Sequence, residues 1–231
     1  MAESSASDPT TIRRLYGRRQ GHTLRQGQAA LFADLLPRIA VPAAGPITAA
    51  GLFGNERPLW LEIGFGRGEH MAGQAAMRPD VGLIGAEPFV DGVVGALMAV
   101  RDGGLGNVRI HHGDALNVLE RLPAASVERV FLLHPDPWPK ARHAKRRFLN
   151  PGPIDLIARV LKPGGEFRFG TDHPIYCRWA LMQMAKRGDF QWLGDTAADF
   201  QIRPADWPQT RYETKARRLG HEVWYFRWQR Q

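Results

Sequence analysis

Short apolar runs alternate with longer segments of helical periodicity from residue 59 onward. Seven of the runs predict strands, because each is short, apolar and bounded by turn residues. The predicted strands cover 59–63, 81–86, 108–111, 129–133, 166–171, 190–193 and 222–228. Between them the pattern predicts helices that end near 77 and 101, and others over 115–121, 154–161 and 176–187. This alternation predicts an α/β, Rossmann-like fold: a seven-stranded, mostly parallel sheet with helices on both faces.

The first quarter of the chain has a different pattern. Residues 1–27 are polar and contain five arginines among glycines and glutamines, with too little apolar surface to fold alone. We therefore expect a basic arm there and a single domain over 28–231. A short helix is predicted over 28–36, and the proline- and alanine-rich stretch that follows, up to residue 57, is predicted to be a linker before the core.

Composition narrows the class of protein. The chain has 231 residues, 44% of them hydrophobic, which is enough for a sizeable core. Its net charge of +8 favours a polyanionic partner, although basic proteins without one exist. The lone Cys177 excludes an intramolecular disulfide, as is typical of a reducing compartment. No apolar run is long enough for a signal-peptide core or a membrane span, so we expect a cytoplasmic protein without a membrane partner.

A glycine turn follows the first predicted strand. Gly64, Gly66 and Gly68 lack Cβ atoms, so the backbone of this turn can approach a ligand closely. Glu69 stands where the dinucleotide fingerprint requires a third glycine or an alanine, and its carboxylate would meet a pyrophosphate. The turn therefore disfavours a diphosphate cofactor. It suits S-adenosyl-L-methionine, which has no phosphate and carries an ammonium and a sulfonium.

Carboxylates accompany the first three predicted strands. Glu62, and with it Glu69, suits a cationic ligand; Glu87 can accept the ribose hydroxyls; and Asp114 can accept from the adenine amino group. Taken alone, Glu62 is also consistent with a buried structural carboxylate. Acidic positions at three successive strand ends favour a binding site instead.

The fourth predicted strand is followed by a proline-rich and then basic segment over 135–147. Three prolines stiffen it and hold Asp136 and Trp138 at the carboxyl edge of the sheet. A solvated basic loop is the plain alternative, but its position beside the expected cofactor favours phosphate binding. Trp138 is equally consistent with stacking on a base and with a hydrophobic plug. The cations of the segment are Lys140, Arg142, Lys145, Arg146 and Arg147.

With these motifs the chain resembles the bacterial tRNA (guanine-N7)-methyltransferases. The resemblance extends from Arg13 to Trp228 and rests above all on Pro-Asp-Pro-Trp-Pro-Lys followed by Arg-His-x-Lys-Arg-Arg. It also includes the Arg-Arg-Gln-Gly of the arm at 18–21, the glycine turn, Thr-Asp-His at 171–173, and Thr-Arg-Tyr-Glu at 210–213 with Lys215. The chain departs from the family pattern in its linker at 40–58 and in His134.

The resemblance implies a class I methyltransferase fold, S-adenosyl-L-methionine as cofactor, and methyl transfer to N7 of the variable-loop guanine, position 46 of tRNA. It implies that the cofactor site is lined by Glu62, Glu87, Asp114 and Asp136. It further implies that the substrate is held by Lys140, Asp172, Thr210, Arg211, Tyr212 and Glu213. Contacts with RNA are implied for the 142–147 loop, with Arg142, His143, Lys145, Arg146 and Arg147.

Methyl transfer to guanine N7 requires few catalytic groups. Guanine N7 has an in-plane lone pair and no proton, so it can attack a sulfonium methyl without a general base. We expect Asp136 at the reacting centre, where a carboxylate favours the developing cationic purine, and Asp172 and Glu213 as acceptors that orient the base. No histidine pair has a helical metal-ligand spacing, so no metal is expected.

Three other functions compete with this one. Methylation of an exocyclic amine uses a loop with two adjacent prolines, whereas this chain has Asp-Pro-Trp-Pro. A non-catalytic RNA-binding subunit predicts eroded cofactor positions, and these are intact. A nicotinamide oxidoreductase is opposed by Glu69 and by the lack of a proton-donor constellation.

Overall fold

A seven-stranded sheet forms the centre of the computed structural model, which describes Gly21 and residues 23–231. Strands β1 to β7 are Leu59–Ile63, Gly82–Ala86, Val108–His111, Val127–Leu133, Leu161–Thr171, Phe190–Trp192 and Trp224–Arg230. Their order across the sheet is β3-β2-β1-β4-β5-β7-β6. The pairs from β3 to β5 are parallel, and β7 runs antiparallel to both β5 and β6. The predicted α/β, mostly parallel architecture is confirmed.

Helices cover both faces of the sheet. Helices α1 to α9 are Gln26–Ile39, Ala49–Phe53, Glu69–Met77, Val90–Asp102, Ala115–Arg121, Pro151–Val160, Pro174–Met184, Ala198–Gln201 and Arg211–Arg218. One hydrophobic core joins the sheet to α2, α5, α6 and α7, and the other joins it to α3, α4 and α9, with α1 packed on its outside. A 3-10 helix over Ala141–Arg146 follows β4. Because both faces are covered, every residue of β1 and β2 is buried.

The helix predicted over 154–161, with its start signal at Asn150 and Pro151 in its first turn, covers Pro151–Val160 in the structure. Asn150 is its N-cap and Pro151 its first residue, where the missing N–H of proline costs nothing. The helix ends at Val160 because Leu161 already pairs with Val127 of β4. The Lys-Pro-Gly-Gly turn thus lies inside β5, with Gly164 at a φ of +79°.

The stretch predicted to be a linker belongs to the core. Helix α1 runs on to Ile39 with Pro37 inside it, and α2 forms further along. Val41, Ile47 and Leu52 are buried. Side chains of the domain also hold the backbone here: the guanidinium of Arg121 donates to the carbonyls of Pro42 and Gly45. The prediction that the core begins after residue 57 was therefore wrong, because isolated apolar residues between prolines were enough to anchor the stretch.

The predicted N-terminal arm lies mostly outside the described residues. Only Gly21 and 23–27 of it are described, and α1 already begins at Gln26. The boundary at residue 27 and the single domain over 28–231 stay predictions.

Candidate active site

A cavity of about 460 Å³ lies at the carboxyl ends of β1, β2 and β4, the edge where parallel sheets bind ligands. Of the residues predicted from the sequence, it is lined by Glu62, Gly64, Gly66, Glu87, Asp114, Asp136, Arg146, Thr210 and Tyr212. The predicted residues that do not line it are Gly68, Lys140, Arg142, His143, Lys145, Arg147, Asp172, Arg211 and Glu213. With Glu69, the cavity has five carboxylates on its wall, which favours a ligand that carries positive charge and hydrogen-bond donors.

The glycine turn between β1 and α3 forms one wall. Gly64, Gly66 and Gly68 have φ values of +67°, +56° and +76°, a region that favours glycine. A Cβ at Gly68 would lie 2.6 Å from the Cβ of Ala96 in α4. Gly68 is therefore needed for close packing of the turn on α4, which explains why it shapes the cavity without lining it.

Glu69, the first residue of α3, lines the cavity but is already engaged. Its Oε2 accepts the backbone N–H of Arg211 at 3.0 Å, and its Oε1 pairs with the guanidinium of the same residue. The contact joins the first residue of α3 to the first residue of α9. Glu69 therefore positions the helix that brings Thr210 and Tyr212 to the cavity.

Glu87 follows β2 and is buried beside the turn. Its Oε2 accepts the N–H of Gly66 and its Oε1 accepts the N–H of Phe89, both at 2.9 Å. Burial raises the pKa of this carboxyl above its ordinary value, and the charges of Asp136 and Glu62 act in the same direction. The two backbone donors oppose this shift. Each oxygen keeps a further lone pair, so Glu87 can still accept hydrogen bonds from a ligand.

Glu62, in β1, has a buried partner that the sequence analysis missed. Nδ1 of His70 lies 2.7 Å from Oε2 of Glu62. On the other side of the ring, Nε2 lies 3.2 Å from the amide nitrogen of Gln74, which also donates to the carbonyl of Asp206 at 2.7 Å. His70 and Gln74 are one helical turn apart on the buried face of α3, and that spacing was the available signal.

Asp114 caps a helix and also lines the cavity. It is the N-cap of α5, and its Oδ1 accepts the N–H of Leu116 at 3.0 Å. This bond satisfies one of the free donors at the start of the helix and fixes the side chain. The residue also lines the cavity, so its second oxygen can accept from a ligand.

The segment between β4 and the 3-10 helix is stiff and strained. His134 and Trp138 have φ values of +47° and +42°, which are unfavourable for residues with side chains. Arg147 holds the segment from beneath: its guanidinium donates to the carbonyls of Pro137 and Trp138 at 3.1 and 2.9 Å and lies 4.7 Å from the ring centre of Trp179. Asp136 is exposed at the start of this segment.

The cations of the predicted RNA-binding loop differ in exposure. Lys140, Arg142 and Lys145 are exposed, and Arg146 is partly buried, with its guanidinium 4.9 Å from the ring centre of Trp138. Arg147 is 5% exposed. Its guanidinium binds backbone carbonyls of the segment and does not face solvent. A run of cations in the sequence does not reveal which one turns inward.

His143 lies among these cations. Loss of hydration lowers its pKa, and the charges of Arg146, Arg142 and Lys140 lower it further. The ring is therefore neutral at physiological pH, and an anion bound to the loop would favour its protonation.

Asp172, after β5, lies between two histidines. Its Oδ1 is 3.6 Å from Nδ1 of His134 and its Oδ2 is 3.5 Å from Nδ1 of His221. The contact with His134 lowers the pKa of Asp172 to about 2, with a smaller contribution from His221. The ring of Tyr212 is nearly parallel to that of His134, with centroids 6.3 Å apart. His134, a departure from the family pattern, thus joins Asp172 to the cavity rim.

The two ends of the predicted Thr210–Glu213 segment have different surroundings. Thr210 is the N-cap of α9 and accepts the N–H of Glu213. Glu213 itself is 2% exposed, and its carboxylate lies 3.3 Å from the guanidinium of Arg203 and 3.1 Å from that of Arg217. Tyr212 is 54% exposed at the rim. Glu213 therefore anchors α9 from below, while Tyr212 faces incoming ligands.

Within Gly21 and residues 23–231, no group of three or more His, Cys, Asp or Glu side chains is arranged so that it could hold a metal ion. Over the same residues, no helix has both the length and the apolar character that a membrane span requires.

Comparison with known proteins identifies relatives of full length. A family described as "Putative methyltransferase" matches residues 56–226. The tRNA (guanine-N(7)-)-methyltransferases of Zymomonas mobilis and Sphingopyxis alaskensis are each 64% identical to this chain, over 100% of both sequences. That of Paracoccus denitrificans is 45% identical over 98% of this chain and 99% of its own.

Solved structures support the fold. The 16S rRNA methyltransferase KamB superposes with a TM-score of 0.54 and 16% identity, covering 83% of this chain and 98% of its own. TrmN from Thermus thermophilus has a TM-score of 0.52 and 16% identity, covering 88% of this chain and 48% of its own. At this identity the likeness concerns the arrangement of helices and strands only.

Proposed function

Because the chain belongs to the family of bacterial tRNA (guanine-N(7)-)-methyltransferases, we propose that it methylates N7 of the variable-loop guanine, position 46 of tRNA, with S-adenosyl-L-methionine as methyl donor. One observation carries the proposal: the same cavity has five carboxylates on its wall and an exposed basic loop beside it. The carboxylates suit the cationic cofactor, and the loop suits the polyanionic substrate.

The residues of the cavity fit S-adenosyl-L-methionine. When bound, this cofactor supplies an electrophilic methyl group on a sulfonium. Glu62 binds its ammonium, Glu87 accepts the ribose hydroxyls, and Asp114 accepts from the adenine amino group. Hydroxyl donors at Glu87 favour its ionised form, which opposes the effect of burial on its pKa. Because the glycine turn offers close backbone contact next to a carboxylate, it suits this cofactor better than a diphosphate.

Asp136 acts on the reacting base by its charge. Guanine N7 has no proton to lose, so the residue has no role as a general base. A positive charge develops on the purine as the methyl group is transferred, and a fixed carboxylate nearby lowers the free energy of that state. The prolines, Arg147 and the left-handed backbone at Trp138 hold Asp136 in place before the substrate arrives.

Asp172 and Tyr212 orient the guanine. Asp172 is ionised at physiological pH, since His134 lowers its pKa to about 2, and it accepts from N1–H and the N2 amino group. Tyr212 offers an exposed ring for stacking. Glu213 was expected to share the first task, but its ion pairs with Arg203 and Arg217 favour a supporting role beneath α9.

The tRNA backbone is bound by the basic loop. Lys140, Arg142 and Lys145 contact phosphates, and His143 and Arg146 complete the surface. Arg147 is left out of this set because its guanidinium is buried against the Pro137 and Trp138 carbonyls.

The proposal is tested by the modified nucleoside. Purified protein is incubated with methyl-labelled S-adenosyl-L-methionine and unmodified tRNA transcripts, and the RNA is digested to nucleosides. We expect label in 7-methylguanosine, and none when the variable-loop guanine is replaced by adenine. Label in an N2-methylguanosine or an N6-methyladenosine would instead establish exocyclic amine chemistry. No label in RNA, with cofactor still bound, would favour a non-catalytic RNA-binding protein.

A further inference from the structure

Glu62 faces the proposed cofactor from a buried position. It is 4% exposed, and Nδ1 of His70, at 2.7 Å, is its hydrogen-bond partner. A buried carboxylate has lost its hydration and is stabilised by hydrogen-bond donors close to it. The ring nitrogen of His70 that carries the proton therefore matters for the group that would meet the cofactor ammonium.

The geometry determines which ring nitrogen of His70 carries the proton. The amide nitrogen of Gln74 is 2.7 Å from the carbonyl oxygen of Asp206, which can only accept. A flipped amide would set two acceptor oxygens against each other. The second N–H of the same amide faces Nε2 of His70 at 3.2 Å, so Nε2 must be the accepting nitrogen. The ring proton then lies on Nδ1 and is donated to Glu62.

The Asp206 carbonyl is a firm anchor for this chain of hydrogen bonds. The Asp206 carboxylate pairs with Arg168 at 2.9 Å and with Arg129 at 3.1 Å. The neighbouring Trp207 is buried and packs edge-on against Tyr225. His70 itself packs against Phe131, with ring centroids 4.7 Å apart. Every member of the chain is thus fixed by groups on other elements.

We propose that His70 and Gln74 are positioning residues: their hydrogen bonds hold the carboxylate of Glu62 oriented toward the ammonium of S-adenosyl-L-methionine. The inference rests on the proposed function, since it concerns the same cofactor site. His70 also lines the cavity, and its hydrogen bond to Glu62 is the contact through which we expect it to act on cofactor binding. Because the backbone carbonyl of Asp206 can only accept, the Gln74 amide must donate to it and to His70, and the His70 ring must donate to Glu62.

A double-mutant cycle tests the inference. Binding of S-adenosyl-L-methionine and of S-adenosylhomocysteine is measured by calorimetry on the full chain and on its His70→Phe, Glu62→Gln and double variants. We expect each single variant to lose about ten- to hundredfold in affinity, the usual effect of a hydrogen bond to a charged group. The double variant should bind within about threefold of the weaker single variant. Losses that multiply would show that His70 acts independently of Glu62 and would overturn the proposal.

A second variant covers the case in which His70→Phe does not fold. Gln74→Met keeps the length of the side chain but removes the amide, and we expect it to weaken cofactor binding in the same direction. Asn107→Leu is the matched control, because Asn107 is a buried amide that donates to the Ala75, Arg78 and Val81 carbonyls and makes no hydrogen bond with Glu62, His70 or Gln74. It should lower thermal stability and leave cofactor affinity unchanged. If Gln74→Met and Asn107→Leu lost the same amount of cofactor affinity, Gln74 would be a structural residue and its proposed positioning role would be refuted.

The tautomer is read directly by nitrogen NMR of labelled histidine. We expect the ring proton of His70 on Nδ1 in the wild type, and on either ring nitrogen in Gln74→Met. A proton on Nε2 in the wild type would contradict the proposed direction of the chain. If the wild-type protein binds no S-adenosyl-L-methionine, the proposed function fails; if it binds and only the cycle is additive, the inference alone fails.

Discussion

Asp136 and Glu87 line the same cavity in different surroundings. Asp136 is exposed on a stiff loop, whereas Glu87 is buried with one backbone donor on each oxygen. An exposed carboxylate keeps its charge without help from the protein, so it is free to act on charge that develops in a substrate. A buried one depends on its donors, and its role is to recognise a ligand that brings more of them.

Asp136→Asn removes charge at nearly constant shape. We expect cofactor and tRNA affinities close to wild type and a fall in kcat of about ten- to hundredfold, or about 1.4–2.7 kcal/mol of transition-state stabilisation. Single-turnover kinetics at saturating tRNA and cofactor measure this. A variant with the wild-type rate at saturation, and weaker only in tRNA affinity, would remove Asp136 from the reacting centre.

Glu87→Gln tests recognition of the ribose and its pH dependence. The amide keeps the shape but turns one acceptor into a donor, so we expect a loss of about 1–3 kcal/mol in cofactor binding. Because burial raises the pKa of Glu87, this carboxyl takes up a proton at a higher pH than an ordinary glutamate as the solution is acidified. Wild-type affinity should therefore fall on acidification.

The Gln variant should lack that part of the pH profile, and calorimetry across a pH series checks both expectations. Parallel profiles for the two proteins would show that another group controls the pH dependence. Unaltered affinity at neutral pH would remove Glu87 from the cofactor site.

At the scale of elements, the sequence pattern predicted those helices and strands that are determined by residues close together in the chain. Periodicity and turn residues identified the glycine turn and the larger part of each of the seven strands, but residues 161–165 of β5 were predicted as the end of a helix and a break. Helix α2 has only five residues between glycine- and proline-rich segments, and its burial depends on distant partners such as Arg109, which donates to the carbonyl of Leu52. The inward turn of Arg147 likewise depends on Trp179, 32 positions away in the chain. Such contacts leave no periodic signal.

The loop between β4 and α6 offers a matched pair of arginines. Arg147→Met removes the buried guanidinium that binds two loop carbonyls, and we expect a loss of about 2 kcal/mol in stability, or about 4–8 °C in Tm for a chain of this size. Arg142→Met removes an exposed charge from the same loop. It should leave Tm within about 1 °C of wild type and weaken tRNA binding.

Calorimetric unfolding and filter binding of tRNA separate the two roles. The kcat of Arg147→Met should also fall, since Asp136 loses its rigid support. If Arg147→Met kept the wild-type Tm while Arg142→Met lost stability, the assignment of the buried and the exposed role would have to be reversed.

At the scale of the whole molecule, acidic and basic side chains lie in different places. The chain carries a net +8, yet the cavity wall is acidic. The exposed cations Lys140, Arg142 and Lys145 flank the cavity. At the opposite edge of the sheet, Arg78, Arg101 and Lys162 are paired with Asp80, Asp102 and Glu128. A polyanion is therefore drawn to the edge at which the carboxylates hold the cofactor.

The salt dependence of tRNA binding measures this arrangement. Each phosphate contact releases condensed counterions, so log affinity falls with log salt by about 0.7–0.9 per contact. Replacing Lys140, Arg142 and Lys145 by Gln should therefore flatten the slope by about 2–3 and weaken tRNA binding at low salt. Exposed loop charges contribute little to folding, so cofactor affinity and Tm should stay near wild type.

The control is a second triple variant of equal charge, with Arg78, Arg101 and Lys162 replaced by Gln. These residues pair with Asp80, Asp102 and Glu128 at the far edge of the sheet, so their loss changes net charge by the same amount without touching the loop. We expect it to keep nearly the wild-type slope, because counterion release depends on contact and not on net charge. Equal slopes for the two triple variants would mean that the loop is a solvated face. The phosphate contacts would then have to come from other cations, and Arg211, Lys215 and Arg218 on α9 would be the next to neutralise.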